Sequence, residues 1–339
     1  MVNIKRLVNK LKNNYGAIES GGTIKDPTEF VSLGNKTLDL MFDGGIPFGL
    51  ITEFSGFSGS GKSLLLQQII ANAQKEPYNA IAILGDRENA FTAKRAEQLG
   101  IDIEKIIVAK PIDIPSPVEV FKLFIDSIEA IREQDAKNGE KSYIVVCLDS
   151  ISSLDKEENQ GLEKQDPGRK AQQIHAGFRR LLRYVDDRIL VVFSNQITYK
   201  VGVLYGANTT TTGGTGTSYY PSIRASLEDR KKIVDPKKGN EIVGNIIEVE
   251  VVKTRMGPCY RKTLIEHYYK TGIDYYSGYC RMLVDKNYLQ PKNKSEFDKF
   301  KQTTVLYKDT SFSEHSIEEK LKEFPELLFD KYPEYNVEK

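Results

Sequence analysis

Apolar residues follow two rhythms along this chain. Tyr143–Leu148 (YIVVCL) and Ile189–Ser194 (ILVVFS) are apolar at nearly every position, the pattern of strands covered on both faces. Leu50–Ser55 and the short run Ile81–Leu84 read as further strands. Between them the spacing is helical. Ser63–Ala73 contains no breaker, and Phe91–Leu99 reads as a helix. Phe121, Phe124, Ile125 and Ile128 mark one face of a helix beginning just after Pro117, and Arg169–Tyr184 reads as another. This alternation predicts a mostly parallel α/β sheet over about Phe30–Tyr269. Ile246–Lys253 (IIEVEVVK) instead alternates apolar and polar, which predicts an antiparallel extension of that sheet.

The two ends differ from this middle. Ile4, Leu7, Val8 and Leu11 recur at helical spacing among lysines, and glycines with Pro27 over residues 16–27 read as a linker. Such a helix either packs on its own core or docks on a neighbouring subunit. From about Asp274 the chain carries fewer β-branched runs and more Lys, Tyr and Pro. Ser316-Ile317-Glu318-Glu319 has the form of a capping box, opening a short helix with Ile317, Leu321 and Phe324 on one face. The expected division is a helix and arm at 1–30, a core at 31–273 and a small C-terminal α+β domain at 274–339. No internal repeat is visible.

Composition narrows the partners. The chain has 339 residues, 40% hydrophobic and 28% charged, the balance of a globular protein. A net charge of +1 excludes a uniformly basic nucleic-acid binder, so any such site must be a local patch. The three cysteines (Cys147, Cys259, Cys280) lack paired metal spacing, and Cys147 falls in a buried run, which fits a reducing cytosol. The three histidines are scattered. No run approaches a membrane span and the N-terminus lacks a signal-peptide core, so a cytoplasmic chain with no membrane partner is expected.

Gly56-Phe57-Ser58-Gly59-Ser60-Gly61-Lys62-Ser63 matches the phosphate-loop pattern G-x-x-x-x-G-K-[ST] in full, between an expected strand and an expected helix. Backbone N–H groups would cradle an NTP triphosphate, with Lys62 on the β/γ-phosphates and Ser63 on Mg²⁺. Asp149, ending the strand Tyr143–Leu148, is a second candidate for the metal site. Glu88 and Asp86 compete as the group that orients or deprotonates water. Gln196 follows the strand Ile189–Ser194 and opens Ile197–Gly216, a Thr- and Gly-rich segment suited to phosphate-backbone contact with Lys200 or to no function at all. A second candidate segment, Lys156–Gly168, is followed by Arg169, Lys170, Arg179, Arg180 and Arg183. On composition alone the Lys253/Arg255 pair is a solvated strand end.

Asn195-Gln196-Ile197, then Lys200–Gly206 (KVGVLYG), then Thr210–Gly214 (TTTGG) resemble the second DNA-binding loop of the RecA family of strand-exchange ATPases. The likeness covers roughly Phe30–Gly278. It implies a RecA-like phosphate-loop NTPase core with a mostly parallel sheet, using ATP and Mg²⁺, and Arg95 falls where the family carries a residue stacked on adenine. Glu88, in Glu-Asn-Ala-Phe, takes the position of the catalytic glutamate, in preference to Asp86. Gln196 takes that of a γ-phosphate sensor, and Asp149-Ser150 that of the metal-site pair. Lys253 and Arg255 resemble basic residues that reach the ATP of the adjacent subunit, in the manner of an arginine finger. The first DNA loop falls around Gly161–Gly168, with Arg169, Gln172 and Arg179 as contacts. The second supplies Lys200, Val201, Tyr205, Gly213, Gly214 and Thr215. Thr198 stands where a basic residue often follows Gln-Ile, Arg95 replaces an aromatic residue, and a strongly acidic C-terminal tail is lacking. Gly214-Thr215-Gly216 and Gly272–Gly278 look more like phage members.

The implied function is a DNA-dependent ATPase that forms helical filaments on single-stranded DNA and pairs it with homologous duplex DNA. Single-strand-binding or mediator proteins are the further partners such a role implies. The rivals are a hexameric helicase on the same core and a regulatory ATP-binding scaffold without strand exchange.

Overall fold

The structure, a computed structural model, describes residues 3–15, 26–110, 116–154, 167–199, 209–211, 215–298, 304–334 and 336. Helix α1 (Ile4–Tyr15) comes first, with Ile4 and Leu7 exposed. Strand β1 (Phe30–Val31) pairs antiparallel with β2 (Ile46–Pro47), and α2 (Lys36–Met41) lies between them in sequence. The core then alternates: β3 (Ile51–Gly56), α3 (Lys62–Ala73), β4 (Ile81–Asp86), α4 (Ala93–Leu99), β5 (Ile106–Ala109), α5 (Pro117–Asn138), β6 (Ile144–Asp149) and α6 (Pro167–Leu181). Strands β7 (Ile189–Tyr199), β8 (Thr209–Thr211), β9 (Ile223–Asp235), β10 (Glu241–Lys253), β11 (Lys262–Tyr268) and β12 (Gly272–Ile273) follow.

These form one sheet in the order β12-β11-β10-β9-β3-β7-β6-β4-β5, with β8 paired to β7 off that path. Neighbours from β9 through β5 run parallel, and β10, β11 and β12 extend the sheet antiparallel, as expected. The apolar run of β6 serves two cores because successive side chains point to opposite faces. Val145 and Cys147 join the cluster under α3, whereas Ile144, Val146 and Leu148 join the one under α5 and α6. Ser116 and Glu119 form a capping box that starts α5, with Pro117 at its first position.

The C-terminal part has its own core. Helix α7 (Tyr279–Asp285), β13 (Gln290–Pro291), α8 (Lys294–Asp298), β14 (Thr304–Tyr307), β15 (Thr310–Ser313) and α9 (Ile317–Glu323) gather around Tyr279, Leu283, Val305 and Leu321. Leu40 of α2 belongs to the same cluster, and Asn35 Nδ2 donates to Asp274 O (2.8 Å) and Ser277 O (3.0 Å). The core thus grips this unit at its first residues.

Two expectations are corrected. Ser316 does not cap α9: its hydroxyl donates back to Ser313 O at 3.0 Å and accepts from Ser313 N–H at 3.3 Å, so Glu319 has no box to close. The segment after Gln196 is not structureless throughout. Strand β7 continues to Tyr199 and pairs with β8 through Ile197↔Thr211 and Tyr199↔Thr209, and Thr215–Tyr219 forms a 3₁₀ turn. Among the described residues no helix is long and apolar enough to cross a membrane.

Candidate nucleotide and nucleic-acid site

The loop from Gly56 to Ser63 joins the C-terminal end of β3 to the start of α3 at the centre of the sheet. Backbone geometry explains its glycines. Gly61 has φ +92°, and a Cβ there would come within 2.5 Å of Ile247 Cδ1. Gly59 has φ +76° and faces open space. Helix α3 begins without a side-chain cap, so its first N–H groups are available to an anion. Among the described residues Ser60 Oγ is buried and without a hydrogen-bond partner. Lys62 Nζ donates to Gly56 O (3.0 Å) and Phe57 O (2.8 Å), which holds the ammonium inside the loop. Burial lowers its pKa, and Glu88 and Asp149 pull it back up.

The carboxylates differ in what they touch. Asp149 Oδ1 accepts from Ser194 Oγ at 2.5 Å, and the carboxylate also receives a hydrogen bond from Ser63. Its pKa is nevertheless raised, because burial outweighs those bonds. Asp86 is buried and accepts from Ala90 N–H and Phe91 N–H, both at 2.9 Å, so both its oxygens are engaged in holding the turn. Glu88 projects from that turn. Its Oε1 accepts from Ser150 Oγ (2.6 Å), Ser153 Oγ (3.1 Å) and Gln196 Nε2 (3.0 Å). The fold therefore brings Lys62, Ser63, Glu88, Asp149 and Gln196 to adjoining strand ends.

A cavity of about 400 Å³ opens over the loop, lined by Ser58, Gly59, Gly61, Lys62, Ser63 and Leu64, with Glu88 beside them. Its far wall is made of Lys232, Asn245, His267 and Tyr269, which sequence reasoning missed. Asn245 and His267 are opposite each other in the β10–β11 register, and His267 Nδ1 lies 2.9 Å from Asn245 Oδ1. A polar pair at inward positions of alternating strands was the available signal. Burial, then the Arg95 charge, pushes His267 down to about 4, so its imidazole is neutral at pH 7. Arg95 does not line the cavity; its guanidinium donates to Tyr269 O (2.9 Å) and lies 3.5 Å from His267 Nε2, behind that wall.

Hard oxygen donors suit Mg²⁺, which takes one or two protein ligands with substrate phosphates completing its octahedron. Ser63 and Asp149 fit that set. Among the described residues no group of three His, Cys, Asp or Glu could hold a metal.

Lys253 ends β10, and neither it nor Arg255 lines this cavity. Lys253 Nζ donates to Ser218 O at 3.1 Å, within the turn opened by Thr215. Arg169, Gln172 and Arg179 are exposed on α6, within about 80° of one another around the helix, opposite buried Ile174 and Phe178. Lys200, Val201, Tyr205, Gly213 and Gly214 lie outside the described residues, as do 155–166, the greater part of the expected first loop.

A parallel sheet carrying a phosphate loop, with acidic and amide groups at adjoining strand ends, defines a phosphate-loop nucleotide-binding fold. The family model of the RecA N-terminal domain matches residues 3–274. Protein RecA of Thermus aquaticus is 33% identical over 280 residues, covering 80% of this chain and 77% of the relative. Protein RecA of Legionella pneumophila (strain Corby) is 31% identical over 272 residues (79% and 73%), and that of Marinobacter nauticus 29% over 289 residues (83% and 78%). The chain belongs to the RecA family of recombinases, and with it to the ATP-binding proteins of DNA recombination and repair.

Proposed function

We propose that this chain is a DNA-dependent ATPase that assembles on single-stranded DNA and promotes homologous pairing and strand exchange with duplex DNA. The observation that carries this reading is the 3.0 Å contact between Gln196 Nε2 and Glu88 Oε1. Gln196 sits on β7, whose next residues run into the segment resembling a DNA loop. A strand that passes the nucleotide at Gln196 and continues toward DNA gives each ligand a mechanical route to the other.

In this reading the loop N–H groups and Lys62 hold the triphosphate, and Ser63 and Asp149 hold Mg²⁺, which when bound offsets phosphate charge. Glu88 takes a proton from, or orients, the attacking water, while Ser150, Ser153 and Gln196 fix its carboxylate. Gln196 faces the γ-phosphate and changes partner when that phosphate leaves. The exposed row Arg169, Gln172 and Arg179 supplies phosphate contacts beside the two loops. Lys253 and Arg255 complete the site of a neighbouring copy, which makes the working unit a filament. The 1–30 arm, 31–273 core and 274–339 unit divide the labour of docking, catalysis and peripheral contacts. The cytoplasm is the proposed compartment.

The test is a joint-molecule assay with single-stranded DNA, a homologous duplex and ATP, using a heterologous duplex and Lys62→Ala protein as controls. Products that depend on homology, ATP and Lys62 support the proposal. Tight single-strand binding without joint molecules would reduce the chain to an ATP-binding scaffold.

A further inference from the structure

A second polar cluster lies on the central strands β3, β7 and β9, next to the phosphate loop. Glu53, on β3 three residues before Gly56, is 0% exposed. Its Oε1 accepts from Asn195 Nδ2 at 2.9 Å, and its Oε2 accepts from Arg224 Nε. Arg224 lies directly across from Glu53 in the β3–β9 register, and Asn195 is two residues beyond Phe193, its partner in β7. A carboxylate buried this deeply is tolerated only when both oxygens are engaged, and removing one partner leaves an uncompensated charge. The cluster therefore has one well-satisfied geometry, with Glu53 at its centre.

Each partner of Glu53 leads to a different functional element. Asn195 is adjacent to Gln196, whose amide reaches Glu88. Arg224 is in register with Lys253 on β10, and Lys253 Nζ holds Ser218 O in the turn that closes the second loop segment. Lys253 responds to the cluster electrostatically: burial, then Arg255 and Arg224, lower its pKa, and Glu53 raises it. Among the described residues Asn195 Oδ1 is buried with no hydrogen-bond partner.

We propose that Glu53 is a positioning residue that couples nucleotide state to DNA affinity. It holds Asn195 with one oxygen and Arg224 with the other, and so ties the nucleotide-facing tip of β7 to the strand pair carrying Lys253. This inference rests on the ATP-dependent DNA binding proposed above. Glu53 touches neither nucleotide nor DNA; it sets where the groups that do so stand relative to one another.

The experiment uses the full chain and measures single-stranded DNA affinity by fluorescence anisotropy, with and without a non-hydrolysable ATP analogue. A fluorescent ATP analogue measures nucleotide affinity separately. Glu53→Gln keeps the shape and removes the charge. The expected result is nucleotide affinity within about threefold of wild type and a nucleotide-induced gain in DNA affinity reduced about tenfold. Adding Arg224→Gln to Glu53→Gln should cost little more, because the two act as one unit. Where Glu53→Gln does not fold, Asn195→Ala gives the same readout from the other end of the cluster. An unchanged gain in a folded variant overturns the proposal, as does a parallel fall in nucleotide affinity, which marks a merely structural role. A wild-type chain whose DNA affinity ignores nucleotide sinks the functional reading, and this inference with it.

Discussion

Two acids two residues apart, Asp86 and Glu88, are separated in role by the atoms that meet them. Backbone N–H groups use both oxygens of Asp86, whereas Glu88 is met by hydroxyls and the Gln196 amide. Glu88→Gln should retain ATP-dependent DNA binding while hydrolysis falls about a hundredfold or more. Phosphate release at the wild-type rate would remove Glu88 from its proposed part. The far wall of the cavity carries a pH signature. His267 titrates near pH 4 in the fold against an ordinary imidazole value of 6.5. Between those values the unfolded chain binds a proton that the native chain refuses, so stability falls as pH drops through this window. The full effect is at most about 3.5 kcal/mol, the span from about 4 to 6.5 at about 1.4 kcal/mol per pH unit. Melting temperatures of His267→Gln should show a flatter slope from pH 6.5 to 4; an identical slope would rule out His267 as its source. The phosphate loop was legible in the sequence because eight consecutive residues carry it. The His267 wall was not, because β10 and β11 bring it to Gly61 from about 200 positions away in sequence, across the sheet.

Elements were legible where periodicity was unambiguous. Continuous apolar runs gave β6 and the first half of β7, since both faces of these strands are covered. The second half of β7 (Asn195–Tyr199) has no continuous apolar run: Asn195 and Gln196 still pair with β3, and Ile197–Tyr199 owe their strand character to pairing with β8, which no local pattern announces. The Ser316 box failed for a related reason: Ser313, three residues earlier, already uses the Ser316 hydroxyl. Between α5 and α6 the packing depends on one missing side chain. A Cβ at Gly177 would lie 2.1 Å from the Phe121 ring, and Phe121 is itself wedged against Phe124 and Phe178. Gly177→Ala should destabilise by about 1–3 kcal/mol through overpacking, although alanine favours the helix. Phe121→Leu in the Gly177→Ala background should recover part of the loss. A melting temperature at or above wild type for the single variant would show that the two helices separate without cost.

At the scale of the whole molecule, two features stay incomplete within one copy. Helix α1 leaves Ile4 and Leu7 exposed, and Lys253 and Arg255 stand away from the nucleotide cavity of their own chain. A net charge of +1 gives one copy little long-range pull on DNA, whereas a local groove repeated along a polymer accumulates it. If each nucleotide is closed by the next copy, the interface is head-to-tail, and it builds a filament where its rotation does not close into a ring. This arrangement can be separated from a single-chain site by mixing two inactive proteins. Lys253→Ala chains lack the basic residue but keep Lys62 and Glu88; Glu88→Gln chains have the reverse defect. Where the nucleotide face of the first meets the Lys253 face of the second, all groups are present. Random order at equal amounts makes about one interface in four of this kind, so DNA-stimulated hydrolysis should return to roughly a quarter of wild type. It should vanish toward either pure protein, giving a maximum near equal mixing. A site built within one chain predicts no recovery at any ratio. Co-assembly verified by fluorescence transfer between labelled variants, with hydrolysis still absent, would therefore count against the shared site.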